Sequence, residues 1–328
     1  MTETPLPRPA PVLRGAGRLR VVVLRSGALG DFVLTTPVLE RLRGLAPAVE
    51  VTYAGRSSFG ALARACGLVD AVVADDAPEF VALFSSSPEA DRKVRRAFCG
   101  FDVAITYLAS RDVAARLVRA GAGEVWAADP LPDPAGATHA ADHLLGAAGP
   151  LLRTGDARPR LRVPEAIAAR GRELLASRGI PERFLLIHPG SGSARKNWRA
   201  SNFARVAELA RARCGLQAVV VVGPVEKEAG DSFREVALAA TACLEAPRLT
   251  LLAGIASAAT CYLGNDSGCS HLAAACGCPT VAVFGPTDAS LWAPRGDRVT
   301  VLAGAGGDLD DVTPERALAA ILDLVPVV

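Results

Sequence analysis

Residues 262–288, YLGNDSGCSHLAAACGCPTVAVFGPTD, admit few backbone paths. An apolar run at Cys261–Leu263 passes through Gly264-Asn265-Asp266-Ser267-Gly268 into a helical pattern over Leu272–Cys276. A β-rich run, Thr280–Phe284, then ends in Gly285-Pro286-Thr287-Asp288. Strand, polar Gly-rich turn, helix, strand and loop make one βαβ unit. Its turn carries Asp266, Ser267, the N–H groups from Gly268 onward and His271 to a helix N-terminus, where unpaired N–H groups and the helix dipole favour an anion. The same residues also read as a plain N-cap, the usual role of Asp or Ser before a helix.

The rest of the chain repeats that alternation. Leu19–Leu24 (LRVVVL) is a continuous apolar run of the kind found in a buried parallel strand. It is followed by Arg25-Ser26-Gly27-Ala28-Leu29-Gly30-Asp31 and a helical pattern over Phe32–Leu45. Strand patterns recur at Val49–Tyr53, Asp70–Val73, Asp102–Tyr107 and Glu124–Ala127, with helical ones at Phe59–Cys66, Val94–Phe98 and Val113–Ala120. A polar, Pro-rich interval near Arg153–Pro164 reads as a linker. Beyond it come helix Glu165–Arg178, strand Phe184–His188, helix Asn202–Arg213, strand Ala218–Val222, a helix running to about Ala240, and a last helix at Pro314–Leu324. The fold class expected is α/β, two Rossmann-like domains facing each other across a cleft, with ligands outside the carboxyl ends of the strands. The expected division is a flexible tail at 1–17, domains at 18–160 and 161–312, and a closing helix at 313–328.

Several classes are poorly supported. The glycines at 27 and 30 do not form GxGxxG, and there is no Walker lysine motif, GxSxG or HExxH. A formal charge of +2 that does not pool in one half argues against a general nucleic-acid binder. None of the eight cysteines forms a CxxC pair, so buried reduced thiols are expected and no metal is called for. No run approaches the ~20 apolar residues of a membrane span, and the Pro/Arg-rich start lacks the apolar core of a signal peptide. The expectation is a soluble cytoplasmic protein, with peripheral contact on the inner face of the membrane left open.

Chemistry-bearing residues fall in the loops after strands. Asp31 reads as a first-turn acid complementing its helix dipole, or as a general base at the mouth of a cleft. Lys196, one of only three lysines, sits in a Gly/Ser loop beside Ser191, Gly192 and Ser193, either solvated or set to neutralise a diphosphate. Glu226 either caps its helix or accepts ribose hydroxyls, and Glu228 competes for that role. His271 is either a structural histidine holding its loop or part of the anion site at that helix N-terminus. His139 and His143 have metal-ligand spacing without a third ligand and read as structural. The basic run Arg92, Lys93, Arg95 and Arg96 reads as a solvated helix face, or as a contact for an acidic acceptor.

Four stretches in order resemble the heptosyltransferase-like glycosyltransferases, glycosyltransferase family 9. They are Ser26-Gly27-Ala28-Leu29-Gly30-Asp31 through Thr35-Thr36-Pro37; His188-Pro189-Gly190 through Lys196-Asn197-Trp198; Gly223-Pro224-Val225-Glu226; and Asp266-Ser267-Gly268-Cys269-Ser270-His271 through Phe284-Gly285-Pro286-Thr287. The resemblance covers about Leu19 to Val325. One departure is Arg199, where the family often has proline. The resemblance implies the GT-B arrangement, an acceptor-side first domain that includes Ser26, a donor-binding second domain, and a last helix crossing back onto the first domain. It further implies inverting, metal-independent transfer of a heptose from ADP-heptose to a lipopolysaccharide core hydroxyl, without a cofactor. Asp31 would be the base. Lys196, Ser191, Gly192, Asp266, Ser267, Gly268 and His271 would lie on the donor, with Glu226 on its ribose. Another nucleotide-sugar, or a glycolipid, capsule or protein acceptor, is the alternative within the fold. A nucleotide-sugar binding protein without turnover is the alternative outside enzymes, against which the presence of both Asp31 and Lys196 argues.

Overall fold

The computed structural model describes residues 18–45, 49–149, 152, 156–223 and 233–325. The first sheet comprises β1 (Leu19–Arg25), β2 (Val49–Gly55), β3 (Ala71–Ala74), β4 (Val103–Thr106) and β5 (Glu124–Ala127), all parallel, in the order β3-β2-β1-β4-β5. Helix α1 (Leu29–Gly44) follows β1 and α2 (Ser57–Ala65) follows β2. Helices α3 (Pro78–Val81) and α4 (Pro88–Phe98) follow β3, α5 (Arg111–Ala120) follows β4, and α6 (Ala140–Ala147) follows β5.

After α7 (Glu165–Ser177) the second unit runs β6 (Phe184–His188), α8 (Ala200–Cys214), β7 (Gln217–Val222), α9 (Arg234–Ala239), β8 (Ala242–Glu245) and α10 (Leu249–Ala258). It continues with β9 (Cys261–Asn265), α11 (Gly268–Ala275), β10 (Thr280–Phe284), α12 (Ala289–Trp292), β11 (Val299–Ala303) and α13 (Pro314–Leu324). Its parallel strands lie in the order β11-β10-β9-β6-β7-β8. In each sheet the strand order reverses beside the first strand, between β1 and β4 and between β6 and β9. These are the switch points where such sheets open a crevice for ligands.

Strands covered on both faces need apolar side chains at every position rather than at alternate ones. Val21–Leu24 and Leu185–Ile187 are accordingly buried throughout. One apolar cluster runs through both units, joining Phe32, Leu39 and Leu62 of the first to Ile255 and Leu272 of the second. A second core lies on the far face of the second sheet, around Trp198, Phe203, Val220 and Ile321.

That second core overturns one expectation. Helix α13 does not cross back to the first domain: it packs on α8 and on the β10–β11 edge of the second sheet. Ala317, Leu318, Ala320 and Ile321 make its apolar stripe, and the vacancy they fill lies next to Val283 and Leu302. Strand β8, helix α10 and strand β11 also went unread in the sequence. The strands are short, and α10 buries residues 252–256 consecutively, so no polar face marks its period. The tail at 1–17, part of the linker, Glu226 and Glu228 lie outside the described residues. Among the described residues no helix is long and apolar enough to cross a membrane.

The start of α1 explains its Thr-Thr-Pro sequence. Pro37 lacks the N–H that would bond the Val33 carbonyl four residues back. The Thr36 hydroxyl donates to that carbonyl instead, at 2.7 Å, and the Thr35 hydroxyl donates to the Asp31 carbonyl at 2.8 Å. The prolyl interruption thus leaves no buried acceptor without a donor at Val33, an omission that would cost about 1–3 kcal/mol.

Candidate active site

Asp31 is the third residue of α1, just past the β1 switch point. Its Oδ2 accepts the Ala28 N–H at 2.8 Å, so it does complement the helix start, and its Oδ1 accepts from Arg25 Nη2 at 2.8 Å. The carboxylate stays about one quarter exposed, while the arginine is 3 % exposed. Gly27 makes this turn possible. Its φ of +120° belongs to glycine, and a Cβ there would lie 2.6 Å from Asp31 Oδ2.

The opposite wall is the turn from β9 into α11. Gly268 lies so close to α1 that a Cβ would stand 2.6 Å from Leu29 Cβ and 2.7 Å from the Gly30 nitrogen. Gly30 in turn faces the His271 ring, which a Cβ would approach to 3.3 Å. The N-termini of α1 and α11 therefore meet across the two domains, and the carboxyl ends of both sheets face one another. The carboxylate of Asp31 takes the positive end of α1, and the N-terminus of α11 stands on the opposite wall.

The side chains expected to serve as caps on α11 are occupied otherwise. Ser267 makes no side-chain cap hydrogen bond. Asp266, almost fully buried, accepts from Lys196 Nζ at 2.7 Å. Its carboxylate thereby holds the lysine over the N-terminus of α11 instead of capping it. Lys196 is partly exposed and keeps two further N–H donors for a ligand.

The loop that delivers Lys196 is fixed by residues that were not singled out in the sequence. Asn265, fully buried at the end of β9, accepts the Trp198 N–H at 2.9 Å and donates to the Pro189 carbonyl at 2.6 Å. Trp198 donates its indole N–H to the Val312 carbonyl and stacks edgewise on Phe203. Ser191, expected on the donor, is buried with its Oγ 2.7 Å from both the Ser193 carbonyl and Asn197 Oδ1, so its single proton holds the loop together. Gly192 is exposed beside it. Arg199, the departure from the family pattern, pairs with Asp310 at 2.6 Å on the surface and leads into α8. Arg25 was missed as well, although one charged residue ending the run LRVVVL was a visible signal. An amide ending the strand CYLGN was another.

His271 is buried, and among the described residues its Nδ1 has no hydrogen-bond partner. A histidine serving only to hold its loop through that nitrogen would show one. Burial pushes its imidazole down to about 4 from 6.5, with Asp266 and Asp31 opposing and His139 and Lys196 reinforcing the shift. The ring is neutral at pH 7. Unfolding restores its ordinary affinity for a proton, so this contribution to stability is complete above about pH 6.5 and is lost as pH falls to about 4. The loss amounts to the order of 3 kcal/mol. We expect urea unfolding between pH 7.5 and 4.5 to show this slope in the wild type and a flatter one in His271→Gln. The slope that remains would belong to groups such as His139, which burial also lowers. Equal slopes would refute the assignment.

The two histidines with metal-ligand spacing are bonded within the fold. His139 caps α6 through Nδ1, which accepts the Ala141 N–H, and so donates from Nε2 to the Ala293 carbonyl at 2.9 Å. His143 bonds the Asp129 carbonyl. Both are structural. Ser26 is exposed in the β1 turn, near Asp31. The basic run lies on α4, which buries Ala90, Val94 and Phe98 against the first sheet. Lys93 pairs with Glu89, and Arg92, Arg95 and Arg96 point into solvent. The end of α4 reaches Gly100, whose carbonyl accepts from Arg20 at the start of β1. Asp31 follows the other end of that strand, about 20 Å away at 3.3 Å per residue. Arg95 and Arg96 therefore lie toward the start of β1 rather than beside Asp31.

Two Rossmann-like units with facing strand ends, and a site drawn from both, define the GT-B class. The chain belongs to glycosyltransferase family 9 (heptosyltransferase), whose family model matches residues 154–318. It is similar to "Lipopolysaccharide heptosyltransferase 3" of Escherichia coli, at 30% identity over 140 residues, which are 40% of this chain and 39% of that protein. The match thus spans about two fifths of the curated relative's length. Solved structures share the fold over nearly the whole chain. The family 9 glycosyl transferase from Veillonella parvula superposes with a TM-score of 0.77 at 22% identity, covering 94% of this chain and 97% of that one. E. coli heptosyltransferase WaaC, solved with ADP, gives 0.72 at 22% identity, covering 94% and 100%.

Proposed function

We propose that the protein is an inverting glycosyltransferase that moves a heptose from an ADP-sugar to a hydroxyl of a lipopolysaccharide core. The observation that carries this reading is the meeting of the two helix N-termini at Gly30 and Gly268. It sets a carboxylate on one side of the crevice and a lysine-assisted anion site on the other. Asp31 takes the proton of the acceptor hydroxyl as its oxygen attacks the anomeric carbon. The bond from that carbon to the diphosphate breaks on the opposite face, inverting the centre. The charge released onto the leaving diphosphate falls to Lys196 and the free N–H groups at the start of α11, which are already oriented before reaction. The neutral His271 ring lies beside this site, its Cδ2–Nε2 edge toward Gly30, and Glu226 is the proposed ribose ligand. Fixed positive groups of the protein would do here what a metal ion does elsewhere, so we propose that no metal is required. The acceptor and the donor sugar are met at the cytoplasmic face of the inner membrane.

The test is a thermal-shift titration with ADP, UDP, GDP and CMP, with and without EDTA. A ligand of the folded state raises the midpoint, by about 2.7 kcal/mol of stabilisation at a hundredfold excess over Kd. Stabilisation by ADP above the others, unchanged by EDTA, is expected. A preference for UDP or GDP would move the donor while keeping the fold, and no shift with any nucleotide would remove the donor site.

A further inference from the structure

We propose that Arg25 is a positioning residue for the general base, holding the Asp31 carboxylate in the plane and rotamer from which it meets the acceptor hydroxyl. The proposal rests on the reading of Asp31 as that base. Arg25 closes β1, and its guanidinium is 3 % exposed among Tyr53, Tyr107 and the turn it introduces. Nη2 lies 2.8 Å from Asp31 Oδ1, while the other carboxylate oxygen takes the Ala28 N–H at 2.8 Å. Two donors from different directions, one on each oxygen, leave the carboxylate no free rotation about its last torsion. Tyr53 donates its hydroxyl to the Arg25 carbonyl at 3.1 Å and fixes the strand end that carries the arginine.

The arrangement is costly if its only use is stability. A buried guanidinium loses hydration that one ion pair with a partly exposed acid recovers poorly, and apolar residues of like volume often replace such pairs without loss. Burial lowers Arg25 from its ordinary value while Asp31, Tyr107 and Tyr53 oppose that shift. Its Nε, moreover, has no partner among the described residues. A chain that needed only a strand end here would be served by methionine. Positioning accounts for the charge, because a base displaced by about 1 Å can lose on the order of a hundredfold in rate.

The titratable and charged groups around Asp31 are Arg25 on β1, Tyr53 on β2, Tyr107 after β4, and His271 with its neighbours Lys196 and Asp266. Burial raises both tyrosines far above neutrality and lowers His271 to about 4.

The experiment compares wild type, Arg25→Met and Asp31→Asn by ADP release from ADP-heptose with a truncated lipopolysaccharide core, alongside ADP affinity and the thermal midpoint. For Arg25→Met we expect kcat to fall about 10- to 100-fold, with ADP affinity and donor KM within about twofold. A folded Arg25→Met with wild-type kcat overturns the proposal, provided Asp31→Asn is inactive. Transfer by Asp31→Asn would instead sink the base reading itself. Should Arg25→Met fail to fold, Arg25→Lys decides: its single ammonium on a different reach should lower kcat about tenfold at unchanged ADP affinity, and an unchanged kcat refutes the role.

Discussion

Asp31→Asn is expected to lower transfer by about 100- to 10,000-fold while leaving ADP binding unchanged. The amide keeps one oxygen that can accept from Arg25 or Ala28, and it lies on the first domain, away from Lys196 and the α11 turn. What it cannot do is take a proton at neutral pH. Asp31→Ala should be equally inactive but less stable. It strips the counter-ion from a guanidinium that is almost fully buried, and breaking such a pair from one side costs about 3–5 kcal/mol when both members are buried. Asp31 is partly exposed, so the lower end of that range or less is expected. Rate, ADP affinity and urea midpoint of the two variants together separate chemistry from fold. Wild-type transfer by either variant would remove the base assignment.

Lys196→Ala should affect both binding and rate. Its ammonium is the one side-chain cation in the described structure aimed at the α11 turn through Asp266. Loss of one pre-oriented donor from a developing anion typically costs about 100- to 1,000-fold in kcat. Because the same group would meet the ground-state diphosphate, ADP affinity should fall by roughly tenfold as well. The change also leaves the Asp266 carboxylate buried and unpaired beside a site meant for anions, so some of the loss is repulsion. Lys196→Ala with undiminished ADP affinity and rate would show that the lysine serves only to tie its loop to β9.

These expectations draw unequally on the sequence. The motif from Ser26 to Pro37 announced a turn and a helix, and its Thr-Thr-Pro end was legible as a pattern without a reason. The reason is tertiary only in part: Thr36 repairs locally the hydrogen bond that Pro37 removes. The strands at Phe184–His188 and Thr280–Phe284 were legible to the residue, because buried parallel strands carry unbroken apolar runs. Helix α10 was not, since an element buried all round shows no period. Helix α13 was legible as a helix but not as a partner of the second sheet, because an apolar stripe states that something will cover it and not what.

Local order, the βαβ alternation, the loops that follow the strands and the family pattern were written in the sequence, because each depends on neighbours a few residues apart. The contact of Gly30 with Gly268 was decided only in three dimensions, as were the pairing of Lys196 with Asp266 and the anchoring of the lysine loop by Asn265. Each of these joins groups brought together by sheet order and domain packing, and no local periodicity encodes which strand end will face which.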